Sequence, residues 1–138
     1  GEEHKMTVTP IYAALAALLF VYLSIRVIGA RRGTKTALGD GGHQTLQRAI
    51  RTHGNFAEYV PLALILMALA ELQDRSVYAI HFVGLCLLVG RLLHAYGVSQ
   101  EPELFKLRVA GMILTFTALI SGALINLGLS GLLTAVLP

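Results

Sequence analysis

The chain has 138 residues, 55% of them apolar and only 14% charged, with a mean hydropathy of +0.67. Ordinary soluble domains carry about 25% charged residues, so this composition excludes that class and points to a single membrane-embedded domain. The net charge is +3, but the basic residues gather in one connection, which reads as a topology signal and not as a nucleic-acid footprint.

The opening GEEHK before Met6 reads as a vector-derived remnant (residues 1–5), with Met6 as the native start. No cleavable signal peptide is expected, because the first apolar run is too long and lacks a small-residue cleavage site. A bilayer core about 30 Å thick needs roughly 20 apolar residues in a helix. The run TVTPIYAALAALLFVYLSIRVI (7–28) meets that need with one charge, Arg26, near its end. The linker GARRGTKTALGDGGHQ follows, glycine-rich, basic and expected to be flexible, and it holds Arg31, Arg32 and Lys35.

The second segment, 44–72, is the odd one. Only 59–70 is continuously apolar, which gives ~18 Å of helix and is too short to span alone. The helix must continue through its polar start, RTHGNFAEYVPL, so part of it faces something other than lipid. Two further spans follow: VYAIHFVGLCLLVGRLLHAY (77–96), and the stretch 108–137 that opens on Arg108. The sequence thus predicts an all-α, integral-membrane four-helix bundle. The third connection holds Lys106, bordered by Arg91 and Arg108, while the opposite side offers only Lys5 and Arg75. The positive-inside rule then puts the first and third connections in the cytoplasm and both termini outside.

On the second helix Gln44, Arg48, Arg51, Asn55 and Glu58 fall within an arc of about 80°, with Tyr59 at its edge and His53 opposite. A charged side chain near the bilayer centre costs at least ~2.5–3.5 kcal/mol, so these groups must pair, face the bundle interior or line a wet cavity. Two readings stand side by side. One is a structural network in which Glu58 pairs with an arginine and Asn55 bridges helices. The other is a polar ligand site at the cytoplasmic end. Pro61 removes one helix hydrogen bond, which fits either a packing bend or a functional kink.

On the third helix Arg91 and His94 share a face, while Tyr96 lies about 140° from Arg91 on an ideal helix. On the fourth, Arg108, Met112, Thr115 and Asn126 align, and Gly111 and Gly122 beside them permit close helix contact. At least four cationic groups are expected to converge at one leaflet, with Glu58 as the evident internal counter-charge. That surplus calls for an anion. His81 stands alone near the outer end as a hydrogen-bonded or interfacial residue. The single cysteine, Cys86, excludes an internal disulfide or a cysteine-based zinc cluster and reads as buried packing.

RTHGNFAEYVPL resembles the signature Arg-x-x-x-Asn-x-x-Glu-Tyr-x-Pro-Leu of the MAPEG proteins (membrane-associated proteins in eicosanoid and glutathione metabolism), at Arg51, Asn55, Glu58, Tyr59, Pro61 and Leu62. The ARR after the first span, Arg91 with His94, and an arginine opening the fourth span are also similar to family features. The resemblance implies a bacterial-type inner-membrane homotrimer that binds glutathione in clefts between subunits, on the cytoplasmic side. It implies that Arg51, Asn55, Glu58 and Tyr59 hold the tripeptide. Arg31, Arg32, Arg48, Arg91, His94 and Tyr96 would complete the polar wall, with Arg108 stabilising the glutathione thiolate. Two positions depart from the pattern: Tyr96 is displaced from the family's tyrosine, and Val109 stands where one branch has a serine, which argues against prostaglandin-type isomerase chemistry.

The implied activity is a glutathione transferase, with possible peroxidase activity, acting on hydrophobic electrophiles that arrive from the lipid and requiring no metal. The alternative is a non-catalytic protein of the same fold that binds lipid or glutathione. A haem or quinone protein built on His53, His81 and His94 is disfavoured, because those residues sit at different depths.

Overall fold

A computed structural model describes residues 5–128 of the chain. Four helices follow one another: α1 (Thr9–Thr34), α2 (Gln44–Leu72), α3 (Val77–Ser99) and α4 (Phe105–Leu127). All four are long and apolar enough to cross a membrane. They form an up-down-up-down bundle in which α3 packs most extensively on α4, and α1 packs mainly on α2. The surface is inverted relative to a soluble protein: Leu18, Ile25, Leu85 and Ile120 stand more than half exposed on its flanks. Residues 129–137, which the sequence assigns to the fourth span, lie outside the described residues. The described part of α4 ends on Gly128, whose left-handed φ of 62° closes the helix without a Cβ clash.

The first span is longer than the apolar pattern suggests. α1 runs on past Ile28 to Thr34, so Arg31 and Arg32 are helical and not part of a flexible linker. Their positive charges in the last turn complement the helix dipole. Arg31 then folds back to donate to the Gly39 carbonyl at 2.9 Å and the Thr36 carbonyl at 3.3 Å, which ties the connection to the helix end. α2 continues through Pro61, although the ring cannot donate to the carbonyl of Ala57.

At the opposite end of the bundle, Glu71 on α2 caps α1. Its carboxylate accepts the backbone N–H groups of Thr7, Val8 and Thr9 at 3.1, 2.7 and 2.8 Å. These amides belong to a helix start and otherwise lack partners, and the positive end of the dipole adds to the attraction. Glu71→Ala is expected to lower stability by about 1–3 kcal/mol, because several amides lose a charged acceptor at once. Thermal unfolding in detergent measures it, and an unchanged midpoint would remove this role.

Small residues set the helix spacing. A Cβ on Gly84 would lie 2.6 Å from the Tyr12 ring, so that glycine admits the ring between α1 and α3. The Tyr12 hydroxyl in turn meets His81 Nδ1 at 2.8 Å, which gives His81 a structural partner. Gly122 lets Leu66 approach, and Asn126 donates to the Leu66 carbonyl at 2.8 Å, joining α4 to α2. Cys86 is buried, as its apolar setting predicts.

Candidate functional site

The end of the bundle that carries the first and third connections holds a polar cavity of about 200 Å³. From α2 come Gln44, Gln47, Arg48, Arg51 and Asn55. His94 and Val98 of α3, Glu103 of the third connection and Arg108 of α4 close it. The α2 contributions follow from helical spacing, since steps of three and four residues keep side chains on one face. The α3 and α4 contributions meet because glycines remove the steric barrier between them. A Cβ on Gly97 would sit 2.7 Å from the Arg108 amide, and one on Gly111 would sit 2.5 Å from the His94 amide.

Electrostatically the cavity is cationic: three guanidinium groups, Arg48, Arg51 and Arg108, face one lining carboxylate, Glu103. Glu103 lies 2.8 Å from Arg108 and 3.9 Å from Arg48. Arg48 also donates to the Val98 carbonyl at 3.1 Å, and its Nε, which has no hydrogen-bond acceptor, lies 3.8 Å from Glu101 Oε1. The lining carries more guanidinium than carboxylate groups, and that surplus suits an anionic ligand.

One layer deeper lies Arg91, only 2% exposed. It donates to Asn55 Oδ1 and to Thr115 Oγ1 (3.3 Å), meets His94 Nδ1 at 3.5 Å and lies 5.8 Å from the centre of the Phe56 ring. Arg91 therefore fixes the cavity wall by holding Asn55 and need not touch a ligand. Arg91→Met keeps the volume but frees Asn55. It is expected to weaken ligand binding about tenfold with a smaller change in turnover, the loss of one charge-assisted hydrogen bond being worth about 1.5–3 kcal/mol. An unchanged binding constant would show that Asn55 needs no such support.

The expected site residues divide as follows. Arg48, Arg51, Asn55, His94 and Arg108 share the cavity, with Arg91 behind it. Glu58 does not enter: it pairs with Arg51 at 3.6 Å on the outer face, both side chains more than half exposed. Tyr59 leaves the polar wall to pack edge-on against Phe116. Arg32 is exposed at the end of α1, Arg31 is spent on its loop, and Tyr96 lines a different hollow on the far side of α3. The counter-charge at the cavity is Glu103 and not Glu58. The available signal was its position five residues before Arg108, in a connection otherwise read only for its basic residues.

His53, His81 and His94 fall into three separate contacts, with Ser24, Tyr12 and Arg91. The network reading is met in part: Glu58 pairs with Arg51, and Asn55 bridges to Arg91 on α3. Arg48, Arg51 and Asn55 also line the hollow, whereas Glu58 does not.

Comparison with known proteins settles the family. The MAPEG family model matches residues 9–128, which span all four helices and every cavity residue. The chain belongs to the MAPEG family. It is also 42% identical over 120 residues to the inner membrane protein YecN of Escherichia coli strain K12, covering 87% of this chain and 90% of YecN. YecN of Escherichia coli O6:H1 matches equally. Within this MAPEG chain, the signature residues Arg51 and Asn55 are the ones that reach the cavity, while Pro61 and Leu62 lie farther along α2 on exposed positions.

Proposed function

We propose that this MAPEG protein is a membrane-bound glutathione transferase that binds glutathione in the arginine cavity and presents its thiolate to hydrophobic electrophiles. The observation that carries this reading is the meeting of Arg48, Arg51 and Arg108, from two helices, around a cavity with one lining carboxylate. Glutathione is a carboxylate-bearing thiol, and guanidinium groups match carboxylates in a fork geometry that ammonium groups lack.

The chemistry follows from charge. A free thiol with pKa about 8.5 is only a few per cent thiolate at neutral pH, and the thiolate is the nucleophile. Lowering that pKa to ~6.5 takes about 2.7 kcal/mol of preferential interaction with the anion. One guanidinium at contact distance in a poorly hydrated cleft can supply this, and Arg108 is placed to do so. The thiolate sulfur attacks the electrophilic carbon and the leaving group departs with the bonding pair. With a lipid hydroperoxide the sulfur attacks oxygen instead. The O–O bond breaks, and a second glutathione resolves the oxidised sulfur to a disulfide, giving alcohol and water.

The cavity of one protomer is smaller than the roughly 300–1,000 Å³ of a complete small-molecule site. The Arg51–Glu58 pair also stands half uncovered on a membrane helix, where charge needs polar cover. Both features support a homotrimer in which a neighbouring protomer completes each cleft and brings Arg31 or Arg32 towards it. The basic first connection favours a cytoplasmic site with both termini outside, and the relation to YecN favours the inner membrane.

One observation favours a second reading, a protein that binds glutathione or lipid without chemistry: Glu103 already engages Arg108. The test is a glutathione-dependent activity screen of the purified protein over lipid-derived epoxides, lipid hydroperoxides and halogenated aromatics. Glutathione consumption above the uncatalysed rate with any of them supports the enzyme. Binding without consumption supports the second reading.

A further inference from the structure

On the face of α3 opposite the arginine cavity, α1 and α3 enclose another hollow, of about 410 Å³, at the same end of the bundle. Its walls include Tyr22 and Arg26 of α1, Leu92 and Tyr96 of α3, and Gln100 just beyond the end of α3. We propose that this groove seats the phosphodiester headgroup of a membrane glycerophospholipid, with Arg26 as the cationic anchor and Tyr22 and Tyr96 as flanking hydroxyl donors.

Depth comes first. From Thr9 to Arg26 is ~26 Å of helix, close to the far boundary of a hydrocarbon core about 30 Å thick. Arg26 Nη1 donates to Ser99 Oγ, in the last residue of α3, which places the guanidinium where that helix leaves the membrane. Charge comes second. Among the described residues no carboxylate pairs with Arg26, in contrast to Arg48, Arg51 and Arg108. A guanidinium offers five donors, and a cation at the edge of lipid is costly without an anion. At that depth the abundant anion is the lipid phosphate, which guanidinium grips bidentately.

The flanks select lipid over a free anion. Tyr22 sits on an exposed stripe of α1 with Leu15, Leu18 and Ile25, and Tyr96 on one of α3 with Leu85, Val89 and Leu92. Each stripe repeats at three- and four-residue steps and runs from the hollow towards the bilayer centre, so acyl chains have an apolar path beside the headgroup. Two tyrosines at one mouth match the interfacial preference of that side chain, with ring in the apolar zone and hydroxyl among headgroups.

The test uses the full chain in detergent, with native mass spectrometry reading bound lipid. Dioleoylphosphatidylglycerol is the probe. Dioleoylglycerol supplies the chains without phosphate, and glycerol 3-phosphate supplies phosphate without chains. The phospholipid should be retained and dioleoylglycerol lost, and glycerol 3-phosphate at equal concentration should fail to compete. Arg26→Gln should cut retention about tenfold, the loss of one charge-assisted anchor, while Lys35→Gln on the exposed loop leaves it unchanged. If Arg26→Gln does not fold, the paired Tyr22→Phe and Tyr96→Phe variant carries the test and should retain less lipid. Equal retention by the variants, or of dioleoylglycerol, overturns the proposal. Effective competition by glycerol 3-phosphate would make it a free-anion site, and disulfide capture between copies of a Tyr22→Cys variant would make the occupant a second protomer. Either result overturns it too.

Discussion

Arg108→Ala is expected to reduce glutathione conjugation at pH 7 roughly 25-fold while largely sparing glutathione binding. The size follows from the proposed role: if the bound thiol returns from a pKa of ~6.5 to ~8.5, the thiolate fraction at pH 7 falls from about three-quarters to about 3%. The sign has a further consequence. Because the lost interaction favours the anion, activity of the variant should recover as pH rises towards the free-thiol value, whereas the parent protein should already be near its plateau at pH 7. Binding should survive because Arg48 and Arg51, on α2, hold the cavity independently of α4. Glu103, at 2.8 Å, is the resident partner that a thiolate must displace or share, so it moderates the gain. Rate measurements across pH with parent and variant decide the point, and unchanged turnover at pH 7 would end this role for Arg108.

Gly111→Leu is expected to cost more than about 3 kcal/mol and to prevent stable packing of α3 on α4, beyond the typical 1–3 kcal/mol of overpacking. A Cβ at that position alone would meet the His94 amide at 2.5 Å and the Gly90 carbonyl at 2.6 Å. These are backbone atoms and cannot rotate away, so the helices must separate. Small residues are what allow such approach in a membrane bundle, where lipid competes as well as leucine for any gap. Separation would also move His94 and the Gly97–Arg108 contact, so the milder Gly111→Ala should fold less stably and lose ligand affinity together. Thermal melting in detergent with a binding assay checks both. A Gly111→Leu protein with the parent's melting point would show that the observed spacing is not required.

Much of the architecture was legible because membrane spans are long and unambiguous: four apolar stretches gave four helices, and the three- and four-residue spacing on α2 placed Arg48, Arg51 and Asn55 on one cavity wall. Gly111 was readable as a close-contact residue for the same reason. What periodicity could not supply was the partner of each charge. Glu58 lies on the α2 polar face but at its outer margin, where it finds Arg51. Glu103 sits in a connection with no helical period, and only the fold brings it to Arg108. Tyr96 lies on the far side of α3, as its angular distance from Arg91 indicated, and the family resemblance drew it to the wrong wall of a single protomer. The end of α1 was misplaced because hydropathy falls at Arg31, whereas helix hydrogen bonding continues to Thr34.

The central claim is that arginines from separate helices form one seat for an anionic thiol. Equilibrium titration of glutathione into the purified protein at pH 7, with the ultraviolet absorption of the thiolate followed in parallel, tests it most directly. Saturable binding accompanied by thiolate formation is expected, with binding weakened by Arg51→Ala and thiolate formation lost in Arg108→Ala. Absence of saturable binding, or binding indifferent to Arg51, would contradict it.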